Sequence, residues 1–363
     1  MKILHIHPAM KGGGIEAMIC ALANEMSKTE NVTVCSLFQP QPDDVFWNKL
    51  SPNVHKKTLG KCKEGISFKE IFKIYQYIKK ERFDVVNVHG KFYYYALSVL
   101  LLNKKVKFFY TVHSDAKMEN LGWDRWIFFL KKFCFRKKII HPITISKTSQ
   151  KSFAMVYGCY SDLIYNGVKR PLLSGFPLAD NYKISEQTKV FIHAGRIDVP
   201  KNQIVLCKVF DKLIKEGHDV VLLIAGSKQR CDIFNSIKHF FGERIIYLGE
   251  RNDIPQLMSC CVAMCLPSIW EGLPVTLLEA FSVGCIPICS NVGGIPDVVS
   301  SGYNGILSSS PSEEDYYQAM KEFLLLSNED IRRLSDNCRV SFENYNIVNT
   351  ATTYIKTYKS YEL

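Results

Sequence analysis

Alternation constrains this chain more than any other feature. Short apolar runs with strand character and longer stretches with helical apolar spacing succeed one another along the whole length, in two series. In the first series KILHIHP, NVTVCSLF, DVVNVHG, VKFFYTVH, ITIS and DLIYNGV read as strands. IEAMICALANEM, FKEIFKIYQYIKK, YYALSVLLL and KTSQKSFAMVY read as the helices between them. In FKEIFKIYQYIKK the residues Ile71, Ile74, Tyr75 and Ile78 fall at helical spacing. An irregular interval follows, KRPLLSGFPLADNYKISEQ, with two prolines, one glycine and no period. In the second series KVFIHAG, DVVLLIAG, RIIYLG, VAMCLP and IPICS read as strands. QIVLCKVFDKLIKEG, DIPQLMSC and LPVTLLEAFSVG read as helices, and two more are expected at about 312–326 and 328–343. NTATTYIKTYKSY is a further candidate helix.

Strands separated by helices pair in parallel, with right-handed crossovers that place helices on both faces. The expectation is therefore α/β, with two parallel sheets. The predicted division is a first domain over 1–168, a linker over 169–188 and a second domain over 189–345. In such sheets ligands bind beyond the carboxyl ends of the strands. With two such halves facing each other, the expected site is a central cleft.

Several classes are excluded. No apolar run reaches the ~18 residues of a membrane span. The longest candidate, Phe92 to Leu102, is shorter. The start, Met1-Lys2 before ILHIHP, has the shape of a first strand and is too short for a signal segment, so a cytoplasmic protein is expected. The thirteen cysteines include no Cys-x-x-Cys pair and several sit in apolar runs. They read as reduced core residues, not as a disulfide or zinc framework. Residues 1–170 carry 28 Lys and Arg against 13 Asp and Glu, a net of +15. Residues 171–363 carry 18 against 22, a net of −4. That asymmetry points to an anionic ligand or surface met by the first half.

Three segments carry chemistry. In PSIWEGLPVTLLEAFSV, Glu279 stands inside an apolar helix eight positions after Glu271. Pro suits a first helical turn, so the helix is expected to start near Leu273, with Glu279 about two turns in. Its first amides form an anion site, and Gly272 allows a close backbone approach. If buried, Glu279 needs hydrogen-bonding partners, a sugar diol or an internal Arg or Lys; otherwise it lies on an exposed stripe of the helix. In IHAGRIDVPKN, Arg196 and Lys201 follow a strand end. They suit a diphosphate, and suit a solvated loop equally well. In MKGGGIEAMICALANEM, Gly12, Gly13 and Gly14 join the first strand to the first helix without the G-x-G-x-x-G fingerprint. His89 and His113 both end predicted strands. No Asp-x-Asp pair and no zinc spacing occurs, so no metal is expected.

Taken together, PSIWEGLPVTLLEAFSVGCIPICSNVGGIPDVV closely resembles the signature of group 1 (family 4) retaining glycosyltransferases of the GT-B fold. GGGIEAMICALA, TVHSD, IYNGV and HAGRIDVPKN are similar to that family's other conserved segments, in the same order over nearly the whole chain. The resemblance implies two Rossmann-like domains, an acceptor-side first and a donor-binding second, with a helix at about 346–363 packing back on the first. It implies that Arg196 and Lys201 hold the diphosphate of a UDP-linked sugar and that Glu279 binds the ribose. Glu271 would meet sugar hydroxyls, with Gly272 and Leu273 offering backbone amides. His113 would sit at the reaction centre, Gly13 and Gly14 near the phosphate, and Asn166 in the interdomain segment toward the donor. His89 has only an acceptor-side expectation.

The implied activity is sugar transfer with retention to an acceptor hydroxyl, in surface polysaccharide or lipid-linked glycan synthesis. No cofactor, metal or nucleic-acid partner is implied. A non-catalytic glycan-binding partner, a sugar-nucleotide epimerase and a phosphorylase are the rivals. The intact Arg196, Lys201, Glu271 and Glu279 set disfavours the first, and the complete double-glutamate block the other two. WDRWIFFLKKFCFRKKII, at 123–140, interleaves aromatics with Arg125, Lys131, Lys132, Arg136, Lys137 and Lys138. It reads either as an ordinary core helix, with Trp123, Trp126, Ile127, Leu130 and Cys134 at helical spacing, or as a peripheral docking surface for anionic lipid.

Overall fold

In the computed structural model, residues 1–42, 44–62, 65, 67–90, 98, 106–117, 125–173 and 182–361 are described. The expected helix YYALSVLLL (apart from Ser98), Trp123 and the middle of the irregular interval lie outside them. The chain divides into two units, one of Met1–Val168 with Tyr345–Leu363, the other of Lys169–Asn344.

The first unit runs β1 (Lys2–His7), α1 (Gly14–Met26), β2 (Asn31–Phe38), a short α2 (Val45–Asn48), β3 (His55–Lys61), α3 (Phe68–Glu81), β4 (Val85–His89), β5 (Lys107–Val112), α4 (Phe128–Arg136), β6 (His141–Thr144), α5 (Lys147–Tyr157) and β7 (Asp162–Leu163). Its strands form one parallel sheet in the order 3-2-1-4-5-6-7. The second unit runs β8 (Lys189–Ala194), α6 (Gln203–Lys215), β9 (Val220–Ala225), α7 (Cys231–Ile237), β10 (Ile245–Gly249), α8 (Ile254–Ser259), β11 (Ala263–Leu266), α9 (Val275–Val283), β12 (Ile286–Ser290), β13 (Ile306–Ser308), α10 (Glu313–Leu324) and α11 (Asn328–Phe342). Its sheet is parallel in the order 10-9-8-11-12-13. The last helix, α12 (Ile347–Ser360), belongs to the first unit and packs beside α1.

Both sheets reverse their winding at one place, between β1 and β4 and between β8 and β11. The loops that leave these strands at their carboxyl ends diverge, which opens a crevice for a ligand. The glycine loop follows β1, Arg196 follows β8, and the Glu271 loop follows β11.

The period of two sorts the first sheet. Leu4, Ile6, Val86, Val88, Tyr110 and Val112 point into the main core with Ile74, Ile78, Phe135 and Phe153. The alternate positions, His5 and His7, Asn87 and His89, Phe109 and Thr111, therefore share the opposite face. α12 covers part of it. Asn87 Nδ2 donates to Tyr358 Oη at 2.8 Å, Thr111 Oγ1 donates to Asn87 Oδ1 at 3.1 Å, and the Tyr358 ring lies 4.7 Å from that of Phe109.

Two strands go beyond the alternation. β3, HKKTLGK, is a lysine-rich edge strand, and charge at an edge is what keeps it from pairing with another chain. β13 spans only three residues. The irregular interval is fastened to the second unit at both described ends. Arg170 pairs with Glu343 and stacks on Phe342, and Ser185 and Thr188 donate to Asp219 Oδ2 at 2.6 and 2.9 Å. The 123–140 segment matches neither of its two readings in full. Cys134 and Phe135 enter the core, but so does Lys131, while Trp126, Phe129 and Phe133 are 82, 81 and 50% exposed. Lys131 therefore does not belong to the exposed basic surface.

Candidate functional site

In the second unit the site is two loops stitched together. β8 ends at Ala194, Gly195 and exposed Arg196 follow, and a single 3-10 turn carries Val199, Pro200 and Lys201. Asn202 then adopts a left-handed conformation, φ 55°. Asn tolerates that region better than most residues, and its side chain is used. Nδ2 donates to Pro267 O at 3.0 Å and to Pro311 O at 2.9 Å. Ile269 N donates to Pro200 O at 2.8 Å. These bonds hold the Lys201 turn against the loop after β11 and, through Pro311, against the loop after β13. Lys201 Nζ there lies 2.6 Å from Glu271 Oε1, which also accepts from Ser268 Oγ at 2.8 Å.

Beneath this pair lies a buried polar support. His193 Nδ1–H donates to Cys265 O at 2.9 Å, which leaves Nε2 to accept from Gln203 Nε2 at 3.1 Å. Gln203 Nε2 also donates to Arg196 O at 2.7 Å. Burial lowers the His193 pKa to about 4, so the ring is neutral and the tautomer follows from its partners.

The Glu271-Gly272 backbone has a second wall in the Val292-Gly293-Gly294 turn. Gly294 N donates to Gly272 O at 2.8 Å. Gly293 has φ +57°, and a Cβ there would stand 1.8 Å from Glu271 O. Both the backbone angle and the space demand glycine.

α9 begins at Val275, with Pro274 as N-cap, two residues later than the expected start at Leu273. Proline is the cap and does not occupy the first turn. Glu279 is consequently the fifth helical residue, little more than one turn from the N-terminus. It is not buried in an apolar helix. Within α9 only Thr276 and Glu279 are half-buried, one turn apart on one flank, while the other residues are buried. Leu273, 3% exposed, anchors the loop. Arg196, Lys201, Glu271, Gly272, Leu273 and Glu279 thus stand on adjoining segments of one unit.

In the first unit, Gly13 is the extended N-cap of α1 and Gly14 its first residue. Gly12 to Gly14 take no left-handed angle, and a Cβ on Gly12 would meet open space. A Cβ on Gly13 would meet Glu16 Oε2 at 2.5 Å, so the glutamate of the first helical turn folds back over the loop. Glu16 Oε1 also lies 3.6 Å from His7 Nε2. His113, just beyond β5, is joined to His89 by a 2.9 Å bond between Nε2 and Nδ1, and His89 Nε2 to His5 Nδ1 at 3.1 Å. Burial, and for His113 the neighbouring His7, lowers the pKa of His5 to about 4 and of His113 to about 3. Asn166 is buried beside Gly167, where a Cβ would lie 2.4 Å from Thr350 Oγ1 and 3.0 Å from Ile347 Cα. The Asn-Gly-Val segment therefore makes room for α12.

Sequence reasoning assigned no part to Ser268, Asn202, Gln203, His193, Glu16 or His5. Asn202 and Ser268 sit inside the quoted motifs; the partners of Asn202 are distant in sequence, while Ser268 bonds Glu271 only three residues on. Among the described residues, no group of three or more His, Cys, Asp or Glu side chains could hold a metal ion. No helix there is long and apolar enough to cross a membrane.

Comparison with known proteins adds the following. The family model described as Glycosyl transferases group 1 matches residues 178–340, and the one described as Glycosyltransferase Family 4 matches residues 12–170. The chain is 26% identical over 249 residues to an N-acetyl-alpha-D-glucosaminyl L-malate synthase of Bacillus anthracis, covering 65% of this chain and 64% of that protein. It is 24% identical over 316 residues to a UDP-Gal:alpha-D-GlcNAc-diphosphoundecaprenol alpha-1,3-galactosyltransferase of Escherichia coli, covering 77% and 76%. The crystal structure of Anabaena HepE in complex with UDP-glucose superposes with a TM-score of 0.79 at 18% identity, covering 99% of this chain and all of that one, and shares the fold.

Proposed function

The chain belongs to the group 1, family 4 glycosyltransferases, and from that premise we propose that it transfers a sugar, with retention, from a UDP-linked donor to an acceptor hydroxyl in surface polysaccharide or lipid-linked glycan synthesis. The observation that carries the reading is the stitched pair of loops in the second unit. A cation, a carboxylate and a helix start converge there at the carboxyl ends of β8 and β11. By their names, the B. anthracis relative makes N-acetyl-alpha-D-glucosaminyl L-malate, and the E. coli protein is a UDP-Gal:alpha-D-GlcNAc-diphosphoundecaprenol galactosyltransferase.

In this reading Arg196 and Lys201 face the diphosphate. The Lys201 ammonium has three N–H groups, so it can keep Glu271 while donating to a phosphate oxygen. Glu271 Oε1 is held by Lys201 and Ser268, which leaves Oε2 for a hydroxyl of the sugar. Glu279 takes the ribose diol, and the Gly272 and Leu273 backbone lies against the sugar. The acceptor oxygen bonds to the anomeric carbon as the bond to the leaving phosphate oxygen breaks, and the acceptor proton passes to that phosphate. The charge gathering on the diphosphate is met by fixed cations, so positioning and electrostatics supply most of the acceleration. This reading assigns Gly13 and Gly14 to the phosphate, His113 to the sugar and Asn166 to the donor. The reaction needs no metal.

The proposed setting is the cytoplasmic face of a membrane. Trp126, Phe129 and Phe133 stand exposed beside Arg125, Lys132, Arg136, Lys137 and Lys138. Aromatics among cations suit the headgroup region of anionic lipid, where each Lys or Arg contributes about 1 kcal/mol.

The test is incubation with a panel of nucleotide sugars and lipid-linked or free acceptors, with and without EDTA, scoring nucleotide release and product anomer. Release from a UDP sugar with an unchanged anomer, insensitive to EDTA, is expected. An inverted product, or activity lost to EDTA and restored by magnesium, overturns the corresponding part. Binding of glycan without any turnover favours the non-catalytic rival.

A further inference from the structure

Three histidines from three neighbouring strands meet end to end in the first unit. His5 lies on β1, His89 ends β4, and His113 follows β5; β1 and β4 flank the reversal of the sheet and β5 adjoins β4. His5 Nδ1 is 3.1 Å from His89 Nε2, and His89 Nδ1 is 2.9 Å from His113 Nε2. The ring centroids are 5.4 and 5.2 Å apart, with tilts of 32° and 34°. Each bridge needs one proton. His5 and His89 are fully buried and His113 is 9% exposed.

Neutral rings carry one N–H each, so the row has two registers. In one, His5 donates to His89, His89 donates to His113, and His113 carries its proton on Nδ1. In the other every donor is reversed, and the N–H at the inner end is His5 Nε2–H. That atom is buried and meets no hydrogen-bond partner among the described residues. A buried N–H without an acceptor is rarer than a bare acceptor, so the first register is favoured. Among the described residues, the titratable groups facing the row are the other rings, His7 and Glu16. A proton added to any ring would be buried beside other imidazoles.

We propose that His5 and His89 are positioning residues that hold His113 as a neutral ring of one orientation, with its proton on Nδ1 and Nε2 accepting from His89 Nδ1–H. This rests on the reading that His113 stands at the transferred sugar. The anomeric carbon gains positive charge as the phosphate departs, and a cationic imidazole there would oppose it. A neutral ring of fixed tautomer does not, and the row ensures one without a carboxylate.

The experiment is nitrogen-15 histidine NMR on the full chain, which reads tautomers directly, followed by kinetics of His89 variants. The wild type should show His113 protonated at Nδ1 from pH 6 to 8. His89→Phe removes both bonds and should release His113 to the Nε2–H form, cutting kcat about 10- to 100-fold with the donor KM unchanged. His89→Asn places an amide N–H near the position of Nδ1 and should recover part of both the tautomer and kcat. An Nε2–H tautomer or a protonated His113 in the wild type overturns the proposal, whatever the variants do. So does unchanged kcat in a folded His89→Phe. Detection of the Nδ1–H tautomer in a wild type that transfers no sugar would support the row while rejecting the transferase reading.

Discussion

Lys201 Nζ and Glu271 Oε1 stand 2.6 Å apart although seventy residues of sequence separate them. Both side chains are largely shielded, 19 and 12% exposed, so the pair holds two loop tips in register. In the proposed reaction one partner serves the diphosphate and the other the sugar. Each therefore orients the other before the donor arrives.

Lys201→Ala and Arg196→Ala should each weaken binding of nucleoside diphosphate about ten- to a hundredfold, the range of one charge-assisted hydrogen bond. Their stabilities should differ. Lys201→Ala leaves a shielded carboxylate with Ser268 alone and lowers Tm, while exposed Arg196→Ala should change stability by no more than about 0.5 kcal/mol. Calorimetric titration and melting on the same preparations check both. Unchanged affinity in both variants rejects the diphosphate assignment.

Glu279→Gln should lower nucleotide affinity with Tm unchanged, since a carboxylate accepts two hydroxyl bonds better than an amide does. A loss of Tm without a loss of affinity would make Glu279 a structural partner of its own unit.

Stability should fall on acidification below pH 6.5. The His5 and His193 rings titrate near 4 in the fold against 6.5 when unfolded, because burial disfavours their cations. The unfolded chain binds more protons in that window. The stability tied to the neutral rings is whole above pH 6.5 and is lost as pH falls toward 4, roughly 3 kcal/mol for a shift of this size. Scanning calorimetry from pH 7.5 to 4.5 should show Tm dropping with pH. A flat profile would mean that the rings are not buried and neutral.

The protein should sediment with anionic vesicles at low salt, be released at high salt and ignore neutral vesicles. Charge reversal at Lys132, Arg136, Lys137 and Lys138 should abolish the binding without unfolding. Lys131 is left intact in this test because it is buried. Equal sedimentation with neutral vesicles would remove the electrostatic account.

Much of the architecture is legible in the alternation, because parallel strands buried on both faces read as unbroken apolar runs such as VVLLIA. β3 is not, because an exposed edge strand is defended by Lys56 and Lys57 and not by apolar residues. The loops bearing Arg196, Lys201 and Glu271 can be located from strand ends and glycines. What joins them cannot, since Asn202 finds Pro267 and Pro311 only once three loops have met. The histidine row is opaque for the same reason: 84 and 24 residues separate its members. Lys131 misleads because helical periodicity gives it a face but cannot reveal a buried cation.

The return of α12 to the first unit has a consequence for biosynthesis. Tyr354 and Tyr358 complete the core around Asn87 and Phe109, yet they are translated some 190 residues after Val168. At common ribosomal speeds that interval lasts on the order of ten to forty seconds. The second unit, continuous from Lys169 to Asn344, is finished first. Throughout the wait the nascent first unit displays an uncovered strip of its sheet, the stage at which a chaperone would have most to shield.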